Sequence, residues 1–444
     1  MSIFNINITE LNDLVKTTKP GDTIIINDGI YDSISLDIGC IGTLQNKITI
    51  KAKIPGNLVL TGKVKLIISG EYTTFANVVF KDGGLINGIQ IQGTGNRLTG
   101  CDISFNNSDG PVILLKDQKN RIDHCVLRDF SNAGVWLCLV REDSHFNYWV
   151  IDHNIFKNRL PGNGNGFETI RIGTSEESLS NSRTIITQNV FENCDGEIEI
   201  ISSKSSENII YKNTIKTSMG AITFRHGNRC IMANNKVTQN KKKDTSGLRV
   251  AAGDSHILFS NLILDANNTS INVNSGQPSG IYNLPVKNLQ VVNNVSINSG
   301  VDCIIGSSSY NINPTNCIYR YNTFYKNNMI PIFSIKDYTN LFFQNNKYFS
   351  TNVSKKIEPT ETVINPSNFD ITKINQNNYG CDDKSGTDWL NIPENTEIRI
   401  DLELYYNKLK TNILVDLSNY LPNNLPSEPK NNSINSISHI CVIS

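Results

Sequence analysis

Short apolar runs separated by polar turns dominate the chain, and from residue 97 they fall into step. Each unit carries an apolar-rich stretch, then Asn or Cys, a spacer and another apolar residue: RLTGCDI, RIDHCVL, WVIDHNIF, TIITQNVF, NIIYKNTI, CIMANNKV, HILFSNLI, LQVVNNV, IYRYNTF and FFQNNKY. The anchors Cys101, Cys125, Asn154, Asn189, Asn213, Asn235, Asn261, Asn293, Asn322 and Asn346 recur roughly every 22 to 35 residues, a solenoid period. Asn side chains stacked at one level can hydrogen-bond along a ladder and satisfy turn backbone. A second column runs beside the first, a glycine leading a strand at Gly110, Gly134, Gly166, Gly196, Gly220 and Gly247. Two columns in step predict one coil per unit. The fold class predicted is all-β, a right-handed single-stranded parallel β-helix. A propeller would repeat about every 40 to 50 residues with blade signatures, and the sequence has none.

At the start, TELNDLVKTTKPG (9–21) predicts a short amphipathic helix stopped by Pro20-Gly21, suited to capping the open end of the stack. Strand-like runs follow: DTIIIND, KITIKA, NLVLTG, VKLIIS and TTFANVVF. The repeat fades near residue 350. The expected division is therefore 1–350, the β-helix with its N-terminal cap, and 351–444, a C-terminal cap and loose tail. One strand-like run, EIRIDLELYY, lies in that second part, and 422–440 is expected to be poorly ordered.

Composition narrows the function classes. The formal net charge is +0, from 41 basic and 41 acidic residues, so there is no chain-wide basic field for nucleic acid. No apolar run is long enough to cross a membrane. The first residues lack a basic stretch followed by an apolar one, so no conventional secretion signal is expected in this sequence. The ten cysteines form no CxxC pair and are expected to be buried thiols. The last four residues, CVIS, fit a prenylation pattern without an upstream polybasic run, and chance accounts for a match that short.

The candidate chemistry gathers between Asp195 and Arg225. Strand alternation places Glu197 and Glu199 on one face, with Ile198 and Ile200 on the other. Ser202, Ser203 and Lys204 follow, and the next coil carries Thr223 and Arg225. Neighbouring rungs of such a stack lie about 4.8 Å apart. Aligning the glycine-led strands puts Thr169 and Arg171 on one rung, Glu197 and Glu199 on the next, Thr223 and Arg225 on a third, and Arg249 beyond. Asn165 sits just before its strand in the long loop NRLPGNGNG, and long loops on a solenoid tend to carry function. Two glutamates with an amide oxygen from the adjacent coil suit calcium, which takes several oxygen ligands in irregular geometry.

Taken singly, each residue has a plainer reading. Glu197 and Glu199 would make a solvated strand face, Lys204 a turn lysine, Arg225 a surface ion-pair partner and His226 an orienting residue. Arg171 and Arg249 would be solvated outer residues, and Lys241-Lys242-Lys243-Asp244 a solvated turn. The combination points further. Breaking a uronic acid polymer by β-elimination needs a neutralised carboxylate, a base for the C5 proton and an electrophile at O4. The patch offers all three.

At NGFETIRIG (165–173), CDGEIEIISSKS (194–205) and FRHGNRC (224–230) the sequence resembles polysaccharide lyase family six, the alginate lyase and chondroitinase B group. The segments KPGDTIIINDGIYDSISL, GTLQNKITIKA and PGNLVLTG resemble the family's first coils, so the resemblance spans roughly residues 10 to 350. It implies calcium held by Asn165, Glu197 and Glu199, with Asn163 an alternative to Asn165. It implies Lys204 as base, Arg225 as acid, and Arg171, His226 and Arg249 as residues facing an anionic polysaccharide. Family members usually act outside the cell or in the periplasm; a viral or intracellular setting would fit a chain without a leader. A glycoside hydrolase on the same fold would need a pair of catalytic carboxylic acids on the glycine-led strands. A non-enzymatic glycan-binding fibre would keep the fold without needing Lys204 beside Arg225.

Overall fold

The structure, a computed structural model, describes residues 1–105, 107–108, 110–130, 134–142, 145–277, 283–306, 310–382, 385–387 and 401–420. The short period-two runs become strands that stack in parallel, coil upon coil, into a parallel β-helix. One wall is a sheet of 14 strands running from Ile3–Ile6 to Thr339–Gln344. Two further walls follow in each coil, and Leu58–Ile68 and Val78–Ile91 run unbroken through both. Inward positions are filled by Ile, Leu, Val and Phe along the axis, forming one continuous core. The N-terminal cap is a 3-10 turn at Ile8–Glu10 and a single helical turn at Leu11–Leu14, with Ile8, Leu11 and Val15 closing the first coil.

The asparagine ladder occupies one corner. Asn154, Asn189, Asn213, Asn235, Asn261, Asn294, Asn322 and Asn346 are buried in file. The Oδ1 of each accepts from the backbone N–H of the one before it, at 2.9 to 3.1 Å. Each Nδ2 beyond the first also reaches a strand carbonyl, as Asn235 reaches Ile210 O. Asn294, not Asn293, is the ladder residue in that coil. The position just before each ladder residue adopts the left-handed region, and Asn293 takes it at φ +54, as Asn234 does before Asn235. Asn293 instead donates to Ser260 Oγ and Tyr420 OH. The ladder ends where Asn346 Nδ2 donates to Glu361 Oε1.

The last coil extends beyond residue 350, because Thr362–Ile364 pairs in parallel with Lys347–Phe349. Further on, the described residues of the run EIRIDLELYY, 401–406, are not the strand its alternation predicts. Its described part opens a 17-residue helix, Leu402–Ser418, N-capped by Asp401. Leu402, Tyr406, Ile413 and Leu417 keep a helical period over a stretch longer than that run. They pack on Val150, Ile185, Ile209 and Ile231 of the 14-strand wall. All of 422–440, and the CVIS terminus, lie outside the described residues. Nine cysteines are described, all unpaired and eight of them buried. Among the described residues no helix is long and apolar enough to cross a membrane.

Candidate active site

The wall that carries the candidate residues has one outward column in strict register: Gln90, Leu114, Cys138, Arg171, Ser202, Thr223, Arg249 and Asn272. This corrects the alignment taken from the glycines. Arg171 stands level with Ser202, and Thr223 with Arg249, because the glycines are not level themselves. Gly166 is five residues before Arg171, Gly196 six before Ser202, Gly220 three before Thr223 and Gly247 two before Arg249.

Two irregularities bracket the site. Between Glu199–Lys204 and Gly220–His226 the register slips once between Glu199 and Ile201, and again between Ser203 and Lys204, so that Lys204 pairs with His226 and Arg225 is the extra residue. Bulges re-aim side chains and are common beside active sites. The expected split of faces is also corrected, because the strand begins at Glu199 and Glu197-Ile198 lie in the bend before it. Glu197 and Glu199 are both buried and Ile200 is in the core, but Ile198 is 59% exposed.

Three carboxylates come together at the start of this strand pair. Oxygens of Glu168, Glu197 and Glu199 all lie within 4.8 Å of one another. Glu168 was not singled out from the sequence. It follows Asn165 by three residues in NGFETIRIG, and that shared motif was the available signal. Glu168 is wholly buried; its Oε1 accepts from Lys204 Nζ at 3.0 Å, and its Oε2 lies 3.9 Å from Arg171 Nη1. Glu199 Oε1 accepts from Arg249 Nη1 at 3.1 Å and lies 3.6 Å from Arg225 Nε, while its Oε2 accepts from Ser202 Oγ. Burial, then the charges of Glu168 and Glu199, push the Glu197 carboxyl up to about 7, against the opposing pull of Lys204 and of the Gly166 amide. Glu197 Oε1 and Glu168 Oε2 are buried without a hydrogen-bond donor.

Each remaining expected residue has a definite place. Asn165 is exposed, one residue from the Gly166 amide that acts on Glu197. Asn163 is exposed in the same loop. Arg225 Nη1 donates to Asn283 Oδ1 at 2.6 Å, and Asn283 Nδ2 donates to Tyr310 OH at 3.0 Å. His226 is buried with Nε2 3.0 Å from Ser175 Oγ; burial, then Arg225 and Lys204, push it down to about 3, so the ring is neutral. Arg171 Nη2 contacts Cys138 Sγ at 3.3 Å.

Lys242 is not a solvated turn residue: it pairs with Asp195 at 2.6 Å, immediately before the glutamate strand. A buried arginine, Arg159, also escaped the sequence reading. It lies between the rings of Trp136 and Phe167, 5.0 and 6.0 Å from their centroids, and burial lowers it to about 10. Gly196 has to be glycine for this reason, since a Cβ there would stand 2.1 Å from Arg159 Nε and from Phe167 O.

From Arg225 a groove of about 620 Å³ runs over the later coils, lined by Arg249, Asp244, Asn272, Asn274, Asn283 and Tyr310 among others. Three buried carboxylates, a lysine and an arginine at their edge and a polar groove leading away form a site able to hold a hard cation and an extended anionic chain.

Residues 6–300 match the family model described as Chondroitinase B. No curated protein matches the chain. Among solved structures, it is similar to a mannuronic acid specific polysaccharide family 6 lyase from human gut microbiota, with 24% identity over 93% of this chain and 100% of that one, at a TM-score of 0.74. It is also similar to the PL6 family alginate lyase AlyGC, with 26% identity over 88% of this chain and a TM-score of 0.76, and it spans 59% of that chain. The PL6 family lyase Pedsa3628 from Pseudopedobacter saltans has 22% identity over 80% of this chain and 97% of its own, at a TM-score of 0.70.

Proposed function

Because the chain belongs to the chondroitinase B family, within polysaccharide lyase family six, we propose that it cleaves an unsulfated, alginate-type polyuronate by calcium-assisted β-elimination. The observation that carries this reading is that Lys204 and Arg225 both reach one carboxylate cluster, Lys204 through Glu168 and Arg225 through Glu199.

The donor set fits calcium. Its oxygens are hard and close together, and two are buried without a donor, which is costly unless a cation completes them. Glu197 and Glu199 would hold the ion, with Asn165 at the rim. Bound there, calcium would neutralise the uronate carboxylate and so acidify the C5 proton. Lys204 takes that proton. The C5 electron pair forms the C4–C5 double bond, the C4–O4 bond breaks, and Arg225 hydrogen-bonds to O4 and supplies its proton. Lys204 then loses its extra proton to solvent and Arg225 takes one back from solvent, which restores both groups. His226, neutral and tied to Ser175, orients the neighbouring sugar without competing for the proton.

The groove argues for the polymer. Its guanidinium groups, Arg225 and Arg249, both already face Glu199, and Asp244 adds a negative charge to the wall. Amides and a phenol supply the rest. Such a surface reads hydroxyls and one carboxylate per sugar better than sulfate esters, which call for unshared cations.

The test is ultraviolet absorbance of the unsaturated uronate product, with mannuronate-rich and guluronate-rich alginate, chondroitin sulfate and dermatan sulfate, each with calcium or chelator. A calcium-dependent rise on alginate alone is expected. A rise confined to the sulfated polymers overturns the substrate, and a rise indifferent to chelator overturns the metal.

A further inference from the structure

Glu168 belongs to the carboxylate cluster and also holds the base. Its Oε1 accepts from Lys204 Nζ at 3.0 Å, and its side chain is wholly buried. Its Oε2 is one of the two buried cluster oxygens with no hydrogen-bond donor, and its cationic neighbour, Arg171 Nη1, stands 3.9 Å away. A buried carboxylate oxygen left in this state faces a strong desolvation cost, and two more carboxylates within reach raise it further. A divalent cation removes both costs together. On this basis we propose that Glu168 is a shared carboxylate: a third acidic ligand of the calcium ion and the tether that positions Lys204.

The proposal rests on the calcium reading above, and it changes that site's charge. Two carboxylates and an amide would give a site of −2, whereas three carboxylates give −3, and ligand charge count tunes affinity for calcium. It also explains why the lysine and the cation site are built from adjoining coils. Glu168 precedes Ile170–Ile172, which pairs with Glu199–Lys204, so one side chain spans the two. A single backbone link would then keep the base at a fixed place relative to the metal. As the neutral amine that accepts a proton, Lys204 Nζ has two N–H donors and one lone pair, so one N–H held on Glu168 sets its direction and leaves the lone pair for the C5 proton.

Calorimetric calcium titration of the full chain separates the two halves of the role. Glu168→Gln keeps size and an acceptor for Lys204 but removes the charge; Glu168→Ala removes both. Circular dichroism and thermal melting check that each is folded, and the isosteric Gln variant carries the test if Ala does not fold. Glu168→Gln should bind calcium roughly 10- to 100-fold more weakly than the parent. At saturating calcium, Glu168→Ala should lose kcat further than Glu168→Gln, with KM changed less. If Glu168→Gln binds calcium like the parent while Glu197→Gln does not, Glu168 is no ligand and only this inference falls. If the two Glu168 variants have equal kcat at saturating calcium, the tether falls. If the parent itself takes up no calcium, the metal reading of the site falls with it.

Discussion

The asparagine corner and the bulged strand pair stand on the same coils and use polar side chains in opposite ways. At the corner every buried amide is satisfied twice or more. Asn235 accepts from Asn213 and donates to Ile210 O and Asn261 Oδ1. At the bulges, carboxylates are crowded against one another, and Glu197 Oε1 and Glu168 Oε2 lack donors. A satisfied polar group stabilises the fold, whereas an unsatisfied one is kept because a ligand completes it. The solenoid thus sets a satisfied polar ladder at one corner and an unsatisfied carboxylate cluster beside register slips of another wall.

The largest effect should come from the bulged side. Lys204→Ala and Arg225→Ala should each lower kcat by roughly 10³-fold or more, since each removes a group that acts only in the transition state. Melting temperatures should stay close to the parent's, because both side chains lie at the edge of the core rather than in it. Near-parental turnover in either variant would remove that residue from the mechanism.

The corner should break the other way. Asn235→Ala would leave the Asn213 backbone N–H without its acceptor and strip a donor from Ile210 O in a dry interior, while Asn213 Nδ2 keeps Ile186 O and Asn261 Oδ1 keeps the backbone N–H of residue 235. A loss of about 3–5 kcal/mol in unfolding free energy is expected, measurable by denaturant titration. The folded fraction should keep the parental kcat. A loss under about 1 kcal/mol would mean that water enters the corner and replaces the ladder.

How much of this was legible in the sequence follows the same division. The ladder was legible because a buried amide is required at one position of every coil, so Asn recurs; only the choice between Asn293 and Asn294 was lost, since it depends on which residue takes positive φ. Glu197, Glu199, Lys204 and Arg225 stood out as charges on a strand pattern, and the resemblance gave them roles. The bulges left no trace, because a slipped register has the same period-two sequence as an unslipped one. Ile198 falls with Ile200 only if the strand begins before Glu199, and Arg171 with Glu199 only if the leading glycines stand level, and neither holds. Glu168 looked like one more residue of a loop-to-strand junction, its meaning set by Lys204, 36 positions away. The C-terminal helix was hidden for a related reason: its apolar face needs a wall to pack on, and ten residues of alternation outweighed a period that continues to Leu417.

The smallest effect sharpens the comparison most, because it uses the same residue type on the other side of it. Asn283 holds Arg225 Nη1 at 2.6 Å from a segment between coils, outside any repeat column. Its neighbour Tyr310 OH holds the amide in turn. Asn283→Ala should leave stability within about 1 kcal/mol of the parent, as a partly solvated contact does. It should lower kcat roughly tenfold, since a guanidinium free to swing no longer waits at O4. KM should change less, because Arg249 and the other groove amides remain. An asparagine whose loss unfolds without slowing, and one whose loss slows without unfolding, would show that the corner and the groove are energetically separate. If Asn283→Ala instead destabilises the chain as Asn235→Ala does, the arch over Arg225 is part of the scaffold and its contact with the arginine is incidental.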